Sequence, residues 1–239
     1  MLFLDLSLPT ASENLALDDA LLEQAEASDG PRECLRLWEP SAPLVVIGRS
    51  SELSVEANEA VCRASGVPVF RRSSGGAAIV TGPGCLMYAV VLSLELRPRL
   101  RSIDEAHRAV LGKLVEALRP LALGVQRRGT SDLAIGERKF SGNSLRLKRK
   151  HLLYHGTLLY DFPLELIGQC LGQPPRQPEY RAGRSHGEFV KNLPVTVSAL
   201  RQALVETWNA REPFIDWPRE LTERLVSEKY SQREWNAKR

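Results

Sequence analysis

The chain is poor in the residue types that would indicate a metal, redox or membrane protein. It has four cysteines in 239 residues, and none belongs to a Cys-x-x-Cys pair, which argues against a zinc site or a dithiol motif. Aromatic residues make up 6% of the chain, and no apolar run reaches transmembrane length. The first residues, Met-Leu-Phe-Leu-Asp, lack the basic and apolar regions of a signal peptide. We therefore expect a cytoplasmic protein with reduced thiols and no membrane partner.

An excess of charge is missing as well. The net charge of +3 is too small to indicate a nucleic-acid partner by itself, and we expect none. The chain is 43% hydrophobic and 26% charged, which is ordinary for a globular protein that buries a sizeable core. Its length suits one large domain or two small ones.

Helical and strand patterns alternate along the chain without a regular βαβ rhythm. This irregular order predicts a mixed α/β sheet with flanking helices rather than a doubly wound fold. Residues 174–191 are polar and rich in proline, arginine and glycine, which predicts a surface loop, and Gly136-Glu137 predicts a hairpin turn. The apolar and turn patterns predict helices at 14–25, 54–65, 103–118, 164–171, 197–209 and 219–228, and strands at 35–38, 44–48, 67–71, 86–94, 132–135, 139–146 and 152–160.

Residues 71–78, with the sequence Arg-Arg-Ser-Ser-Gly-Gly-Ala-Ala, bring cations, hydroxyls and glycines into one short segment, here called the glycine loop. Glycine lets the backbone turn tightly and approach a ligand closely. Successive N–H groups in such a turn can surround an anion. The glycine loop therefore indicates an anion-binding site.

Residues 138–144, Arg-Lys-Phe-Ser-Gly-Asn-Ser, present Lys139 beside a turn of small residues. An ammonium held there can act as a point charge on a phosphate or a carbonyl oxygen. Together with the glycine loop, this segment predicts a site for a negatively charged, activated acid.

Three motifs resemble those of one known family, lipoate–protein ligase A and its acyltransferase relatives. Residues 71–76 resemble its lipoyl-binding loop, and residues 138–143 match its lysine motif. Residues 154–159 match its His-His-Gly-Thr-Leu-Leu strand, with Tyr154 in place of the first histidine. Residues 14–18 and 229–236 also fit, so the motifs keep the family's order over nearly the whole chain.

The resemblance implies a mixed α/β fold of the biotin/lipoate protein ligase type, distantly akin to class II aminoacyl-tRNA synthetases. It implies the transfer of a lipoyl or octanoyl group to a lysine of a lipoyl carrier domain, of the 2-oxoacid dehydrogenase E2 or glycine cleavage H protein type. In the ligases this transfer uses an acyl-adenylate made from lipoate, ATP and Mg²⁺. We expect one catalytic domain over residues 1–239 without a C-terminal accessory domain, which a separate subunit can supply.

The resemblance also assigns roles to single residues. Lys139 is expected to bridge the acyl carbonyl oxygen and the phosphate, and Arg71 and Arg72 to hold pyrophosphate or the adenylate. Asp132 is expected to hold Mg²⁺ and the ribose, although Ser131 replaces the asparagine that precedes this aspartate in the family. The other expected binding residues are Ser73, Ser74, Gly75, Gly76, Ala77, Ile79, Ser141, Gly142, His155, Gly156 and Thr157.

Three alternative functions stay open at this point. Octanoyl transfer needs a cysteine nucleophile; residues 124–130 contain none, which leaves Cys170 as the candidate. Biotin ligation is disfavoured, because the glycine loop lacks the Gly-Arg-Gly pattern of biotin ligases. A catalytically silent acyl or nucleotide binder is supported only by Ser131 and Tyr154.

The remaining basic residues lie in two places. The run 146–151, Arg-Leu-Lys-Arg-Lys-His, falls in a predicted hairpin loop. It is either a solvated loop or a docking surface for an acidic lipoyl domain. Arg176, Arg181 and Arg184 on the long polar loop either extend that surface or close over the adenylate as a lid.

Overall fold

A mixed eight-stranded sheet organises the residues that this computed structural model describes, 1–175 and 177–237. The strand order is β11-β1-β2-β6-β10-β9-β8-β7. The first three strands run parallel to one another, and every later pairing is antiparallel. The strands are β1 (Leu2–Asp5), β2 (Cys34–Trp38), β6 (Cys85–Ser93), β7 (Val125–Arg128), β8 (Asp132–Ile135), β9 (Arg138–Leu147), β10 (His151–Leu159) and β11 (Glu212–Pro213).

Three short strands form a second sheet that carries the glycine loop. Strand β3 (Leu44–Ile47) lies between β4 (Val69–Arg71), which is parallel to it, and β5 (Ile79–Thr81), which is antiparallel. The glycine loop leaves β4 at one edge and enters β5 at the other. It therefore crosses the end of β3, where Gly48 follows the strand.

Helices cover both sheets, and most of the long ones begin at a side-chain cap. Thr10 caps the first helix in a capping box with Glu13, and Ser102 and Thr196 cap two later ones. The helices of the described residues are α1 (Ala11–Ala27), α2 (Leu53–Glu56), α3 (Glu59–Ala64), α4 (Ile103–Leu118), α5 (Glu165–Cys170), α6 (His186–Phe189), α7 (Val197–Trp208), α8 (Arg219–Leu225) and α9 (Arg233–Asn236). None of them has the length and hydropathy that crossing a membrane requires.

The two faces of the large sheet carry different layers, because side chains alternate along its buried central strands. From β6, Leu86 and Tyr88 pack with α4 and α7, whereas Met87 and Ala89 face the second sheet and α1. Strand β10 is also buried along its full length. Its His155 lies on the second face, against α1.

The structure confirms the mixed sheet with flanking helices and most of the predicted elements. The helix at 103–118 and the hairpin around Gly136 lie where the sequence predicts them. The predicted helix at 54–65 is wrong: it is split into α2 and α3, because Ala57 bridges to Leu171 and Asn58 caps α3. The sequence analysis does not predict strands β1, β5, β7 and β11.

Segment 174–191 is more ordered than the predicted surface loop. It contains a 3₁₀ turn at Glu179–Arg181 and helix α6, and its Arg181 and Phe189 are buried. Arg176, one of the three arginines assigned to a lid or docking surface, lies outside the described residues. The segment packs over the large sheet through Val190, which bridges to Lys139 in β9.

Candidate active site

A cavity of about 590 Å³ lies between the glycine loop, strands β8 to β10 and segment 174–191. Most of the residues predicted from the sequence line it: Arg72, Gly76, Ala77, Ile79, Asp132, Lys139, Ser141, Gly142, His155, Gly156 and Thr157. Arg71, Ser73 and Ser74 are buried behind this wall, whereas Gly75 is exposed next to Gly76. The fold therefore brings the glycine loop and the lysine segment to one site.

The cavity wall is polar in one part and apolar in another. The apolar part comes from the second sheet, α5, α6 and the large sheet: Leu15, Val46, Ile79, Val80, Met87, Leu159, Ile167, Leu171, Phe189 and Val190. An apolar lining with a few polar groups suits a ligand with a hydrocarbon chain and a charged end.

Lys139 and Asp132 form an ion pair in the polar part of the wall. Lys139 Nζ lies 2.6 Å from Asp132 Oδ1, and the lysine side chain is 26% exposed while the aspartate is 8% exposed. The ammonium is therefore held in place yet remains accessible from the cavity. A positioned cation of this kind stabilises negative charge that develops on a substrate oxygen.

Gly142 makes room for the lysine side chain. A Cβ atom at this position would lie 2.9 Å from Lys139 Nζ and 3.0 Å from its Cε. Thr157 on β10 accepts a hydrogen bond from the Gly142 N–H, at 3.2 Å. The small residue therefore lets the lysine lie across β9, while Thr157 fixes the strand beneath it.

Segment 174–191 reaches the same carboxylate. Tyr180 donates a hydrogen bond to Asp132 Oδ2, at 2.8 Å, and its ring packs against Phe189. Burial and the neighbouring Asp132 raise the pKa of Tyr180, so the phenol stays protonated and acts as a donor. Arg181, which lines the cavity, stacks over Phe189. These contacts place the segment over the site.

Asp132 is the only predicted metal ligand. Among residues 1–175 and 177–237, no cluster of three or more His, Cys, Asp or Glu side chains could hold a metal ion. Mg²⁺ is often held by one or two carboxylates together with substrate phosphates and waters. Asp132 fits that mode, but only if the ligands displace Lys139 and Tyr180 from its two oxygens.

Arg71 has a structural position. Its side chain is fully buried, and Nη1 donates to the carbonyl oxygens of Gly48 and Ser51, both at 2.8 Å. Its Nε donates to the Trp235 carbonyl oxygen, at 3.0 Å. The guanidinium therefore joins the end of β3 to the C-terminal helix, away from the cavity where it was expected to hold pyrophosphate.

Arg72 lines the cavity but binds the glycine loop itself. It donates to the carbonyl oxygens of Gly75 at 3.1 Å, Ala77 at 3.0 Å and Val46 at 3.1 Å. Burial lowers its pKa to about 10, although the nearby charge of Glu56 opposes this shift. The guanidinium therefore stays charged at neutral pH and organises the loop as well as facing the ligand.

Hydrogen bonds and an ion pair join the glycine loop to α1. Arg72 Nε donates to Ser74 Oγ at 3.1 Å, and this hydroxyl lies 2.5 Å from His155 Nε2. On the other side of the ring, His155 Nδ1 lies 3.5 Å from Asp18 Oδ2, and Arg36 pairs with the other Asp18 oxygen at 2.6 Å. His155 is thus a buried histidine with partners at both nitrogens.

The sequence comparisons assign this site to a family. Residues 10–209 match the lipoyl protein ligase A/B catalytic domain. The chain belongs to this family. It is 33% identical over 198 residues to a lipoate-protein ligase A of Aeropyrum pernix, covering 82% of this chain and 70% of that protein. Identity is also 33% over 163 residues to a lipoate-protein ligase A of Schizosaccharomyces pombe, but the match covers 67% of this chain and 41% of that longer protein.

Solved structures of the family share the fold. A bipartite lipoate protein ligase from Thermoplasma acidophilum superposes with a TM-score of 0.83 at 26% identity, covering 99% of this chain and 95% of that one. A lipoate-protein ligase A bound with ATP gives a TM-score of 0.80 at 25% identity, covering 99% and 98%. The predicted family and fold type are therefore confirmed.

Tyr154 stands where the family motif has its first histidine, and it contacts a histidine of α4. Its hydroxyl lies 2.8 Å from Nδ1 of His107. Burial lowers the pKa of His107, so the imidazole is neutral near pH 7. His107 lines the cavity, although no motif pointed to it. The buried tyrosine hydroxyl therefore has a polar partner next to the cavity.

Cys170 lacks the surroundings of a nucleophile. It is buried at the end of α5 next to Cys62, whose Sγ lies 3.7 Å from the Cys170 carbonyl oxygen. Burial, together with the neighbouring Cys170, raises the pKa of Cys62 to about 11. Cys170 does not line the cavity, so the structure gives no support to the octanoyltransferase alternative.

Two cations of the basic run 146–151 form ion pairs with acidic residues of α1. Arg146 pairs with Asp19 at 2.7 Å, and Lys148 pairs with Glu23. Lys150 donates to the Ser28 carbonyl oxygen, at 2.8 Å. These contacts favour the interpretation as a structural hairpin over that of a free docking surface.

The sequence does not indicate two further side chains of the site. Glu56 lines the cavity at the end of α2, and its Oε2 accepts the Ala78 N–H at 2.5 Å. Tyr180 lies in the segment that was predicted as a surface loop. Neither residue belongs to a motif, and only the tertiary fold brings them to the glycine loop and Asp132.

Proposed function

We propose that this protein activates lipoate with ATP to form lipoyl-adenylate and transfers the lipoyl group to a specific lysine of a lipoyl carrier domain. The observation that carries the proposal is the exposed ammonium of Lys139, held by Asp132 in the wall that also contains Arg72 and the glycine loop. Family membership and the ATP-bound relative support the same reaction.

In the first step the lipoate carboxylate attacks the α-phosphorus of ATP, and pyrophosphate leaves. Two anions approach each other in this step, so fixed cations and backbone donors lower its barrier. Lys139 contacts the carboxylate and α-phosphate oxygens, while Arg72 and the glycine loop face the phosphates. The apolar wall with Ile79, Met87 and Leu159 holds the hydrocarbon chain.

Mg²⁺, bound with the nucleotide phosphates at Asp132, would supply further neutralisation of their charge. Asp132 also orients Lys139. Tyr180 releases Asp132 when ligands arrive, and segment 174–191 then excludes water from the acyl-adenylate.

In the second step the neutral carrier lysine amine attacks the acyl carbonyl carbon. AMP leaves, and the extra proton of the amine passes to solvent. Lys139 stabilises the negative charge that develops on the carbonyl oxygen. The residue thus has one chemical task in both steps.

The first experiment is mass spectrometry of a lipoyl domain incubated with the protein, lipoate, ATP and Mg²⁺. We expect a lipoyl mass shift that requires ATP. The Lys139→Ala variant should lose about 10²–10³-fold in rate, the size of effect seen when one preorganised oxyanion donor is removed. Lys113→Ala is the matched control, because Lys113 donates to Thr207 on the far face of the sheet.

Other results would change the proposal. A shift that needs octanoyl-carrier protein and no ATP would replace adenylation by acyl transfer. Stabilisation by ATP and lipoate without any product would indicate a silent binder, since a ligand that binds the folded state raises the melting temperature. Equal rates for Lys139→Ala and Lys113→Ala would remove Lys139 from the mechanism.

We also propose that the domain formed by residues 1–239 works with two kinds of partner. One is the carrier, a lipoyl domain of the E2 or H protein type; the T. acidophilum ligase was described together with its E2 lipoyl domain. The other is an accessory subunit, because that ligase is bipartite. Lipoate-dependent exchange of pyrophosphate into ATP, measured with and without a candidate subunit, tests the second partner.

A further inference from the structure

The carbonyl groups of Gly75, Gly76 and Ala77 in the glycine loop are all bound by the protein. Arg72 donates to the oxygens of Gly75 and Ala77, and Ser144 Oγ donates to the Gly75 oxygen at 2.9 Å. Ser51 Oγ donates to the oxygen of Gly76 between them, at 3.3 Å. Three consecutive carbonyls are therefore held against side chains of the protein.

The N–H groups of the same three residues, in contrast, have no hydrogen-bond partner in the described part of the protein. Within residues 1–175 and 177–237, no hydrogen bond is donated by the N–H groups of Gly75, Gly76 or Ala77. Gly76 and Ala77 line the cavity. All three residues are exposed, so this row of N–H groups, which has no acceptor among the described residues, is accessible to acceptor oxygens of a ligand.

The next amide marks the end of this row. The Ala78 N–H donates to Glu56 Oε2 at 2.5 Å, and Glu56 is only 7% exposed. The backbone of Glu56 is itself fixed, because its carbonyl oxygen accepts the Gly172 N–H at 3.1 Å. Its carboxylate also lies close enough to Arg72 to affect that side chain electrostatically.

We propose that Glu56 is a positioning residue that anchors the exit of the glycine loop and thereby keeps the amides of Gly75 to Ala77 directed at an anionic phosphate or carboxylate. Arg72 and Glu56 act as a pair: the cation holds the carbonyls of the loop and the anion holds its last amide. The identity of the anion rests on the proposed function, but the loop geometry does not.

The kinetic test compares Glu56→Ala, Glu56→Gln and Glu52→Ala in lipoate-dependent pyrophosphate exchange. Removing the acceptor in Glu56→Ala should raise KM for ATP about tenfold and change kcat less than about threefold. Glutamine keeps an acceptor oxygen and should return KM to within about threefold of the wild-type value. Glu52 begins the same helix on the surface and is the matched control.

A second readout needs no turnover. In amide nuclear magnetic resonance spectra, Glu56→Ala should shift the Ala78 signal upfield and speed its hydrogen exchange, because a bond to a charged acceptor is lost. Titration with inorganic pyrophosphate should move the signals of Gly75 to Ala77 in the wild type and less in the variant. If the wild type shows no exchange activity even with a candidate accessory subunit, the proposed function fails, whereas these spectra still decide the role of Glu56.

Loss of folding is controlled separately. Melting curves identify a Glu56→Ala protein that does not fold. In that case Ser144→Ala, which removes a donor from the opposite side of the loop, should raise KM for ATP about threefold. The proposal is overturned if Glu56→Ala has the same KM for ATP as Glu52→Ala, or if the Ala78 amide signal does not shift in Glu56→Ala. It is also overturned if Ser144→Ala leaves KM for ATP unchanged.

Discussion

The two halves of the site present charge to the cavity in different ways. On the β8–β9 side, the ammonium of Lys139 and the carboxylate of Asp132 point to the cavity and bind each other. On the glycine-loop side, most N–H groups of the Arg71 and Arg72 guanidinium groups donate to backbone carbonyl oxygens. There the backbone amides of Gly75 to Ala77 are left for the ligand, and Arg72 lines the cavity while most of its donors bind the loop.

This contrast separates residues that act on the substrate from residues that maintain the conformation of the site. A side chain such as Lys139 can be removed while the strand beneath it stays in place, because Thr157 holds that strand from β10. The glycine loop has no such support, since it crosses the end of β3 outside both sheets. Its conformation depends on buried side chains, so substitutions there should change stability and activity together.

The largest stability effect should come from Arg71→Ala. The change leaves the carbonyl oxygens of Ser51 and Trp235 without their donor, while that of Gly48 keeps the Ser51 N–H. Each buried unsatisfied group costs about 1–3 kcal/mol, so we expect a loss of at least about 2 kcal/mol. Urea unfolding gives this value, with the exposed Arg63→Ala as a control that should stay within about 0.5 kcal/mol of the wild type.

The alternative outcome for Arg71 is equally specific. A variant that unfolds like the wild type but has lost ATP binding would restore the ligand-binding role that the sequence predicts for Arg71. It would also make the two halves of the site alike, because both would then act through side-chain charge.

One substitution applied to both halves sharpens the comparison. In Gly48→Ala the new Cβ would lie 1.9 Å from the Gly76 carbonyl oxygen, which is backbone. We expect a loss of about 1–3 kcal/mol, together with lower activity, because the loop must move. In Gly142→Ala the Cβ instead meets the flexible end of Lys139, at 2.9 Å. Stability should then change by less than about 1 kcal/mol, while the rate falls about 10–100-fold because the ammonium is displaced.

Thermal unfolding and pyrophosphate exchange, measured on both variants, separate the two cases. The comparison fails if Gly142→Ala loses as much stability as Gly48→Ala, or if Gly48→Ala retains full activity. Either result would mean that the glycine loop and the lysine strand are supported in the same way.

The sequence predicts the elements and the site better than it predicts the contacts inside the site. Long periodic patterns placed α4 and β6, and the loop and lysine motifs placed the two walls of the cavity. Such features depend on local pattern, which one sequence contains. The family resemblance supplied the pairing of the two walls, which spacing alone does not give.

What the sequence did not give depends on contacts between distant segments. Nothing near Arg71 indicates that its partners lie at Gly48, Ser51 and Trp235, more than 160 residues away in the last case. Glu56 was read as part of a longer helix, since the bridge of Ala57 to Leu171 that ends α2 is a tertiary contact. The sequence therefore identifies the motif residues, but it does not show which of them face the ligand.

The smallest expected effect concerns the contact between the lid segment and the lysine side. In Tyr180→Phe the hydrogen bond to Asp132 Oδ2 is lost, while the ring still packs against Phe189. Stability should fall by about 1 kcal/mol. Because the same bond must open before Asp132 can serve the nucleotide, KM for ATP should fall about two- to fivefold.

Tyr160→Phe is the matched control for this last change. Tyr160 also donates to a carboxylate, that of Glu39, at 2.8 Å, but it does not line the cavity. It should lose similar stability with no change in KM. A rise in KM for Tyr180→Phe would instead mean that the hydroxyl binds the nucleotide directly. Segment 174–191 would then bind the ligand through a side chain, as Lys139 does, instead of competing with the ligand for Asp132.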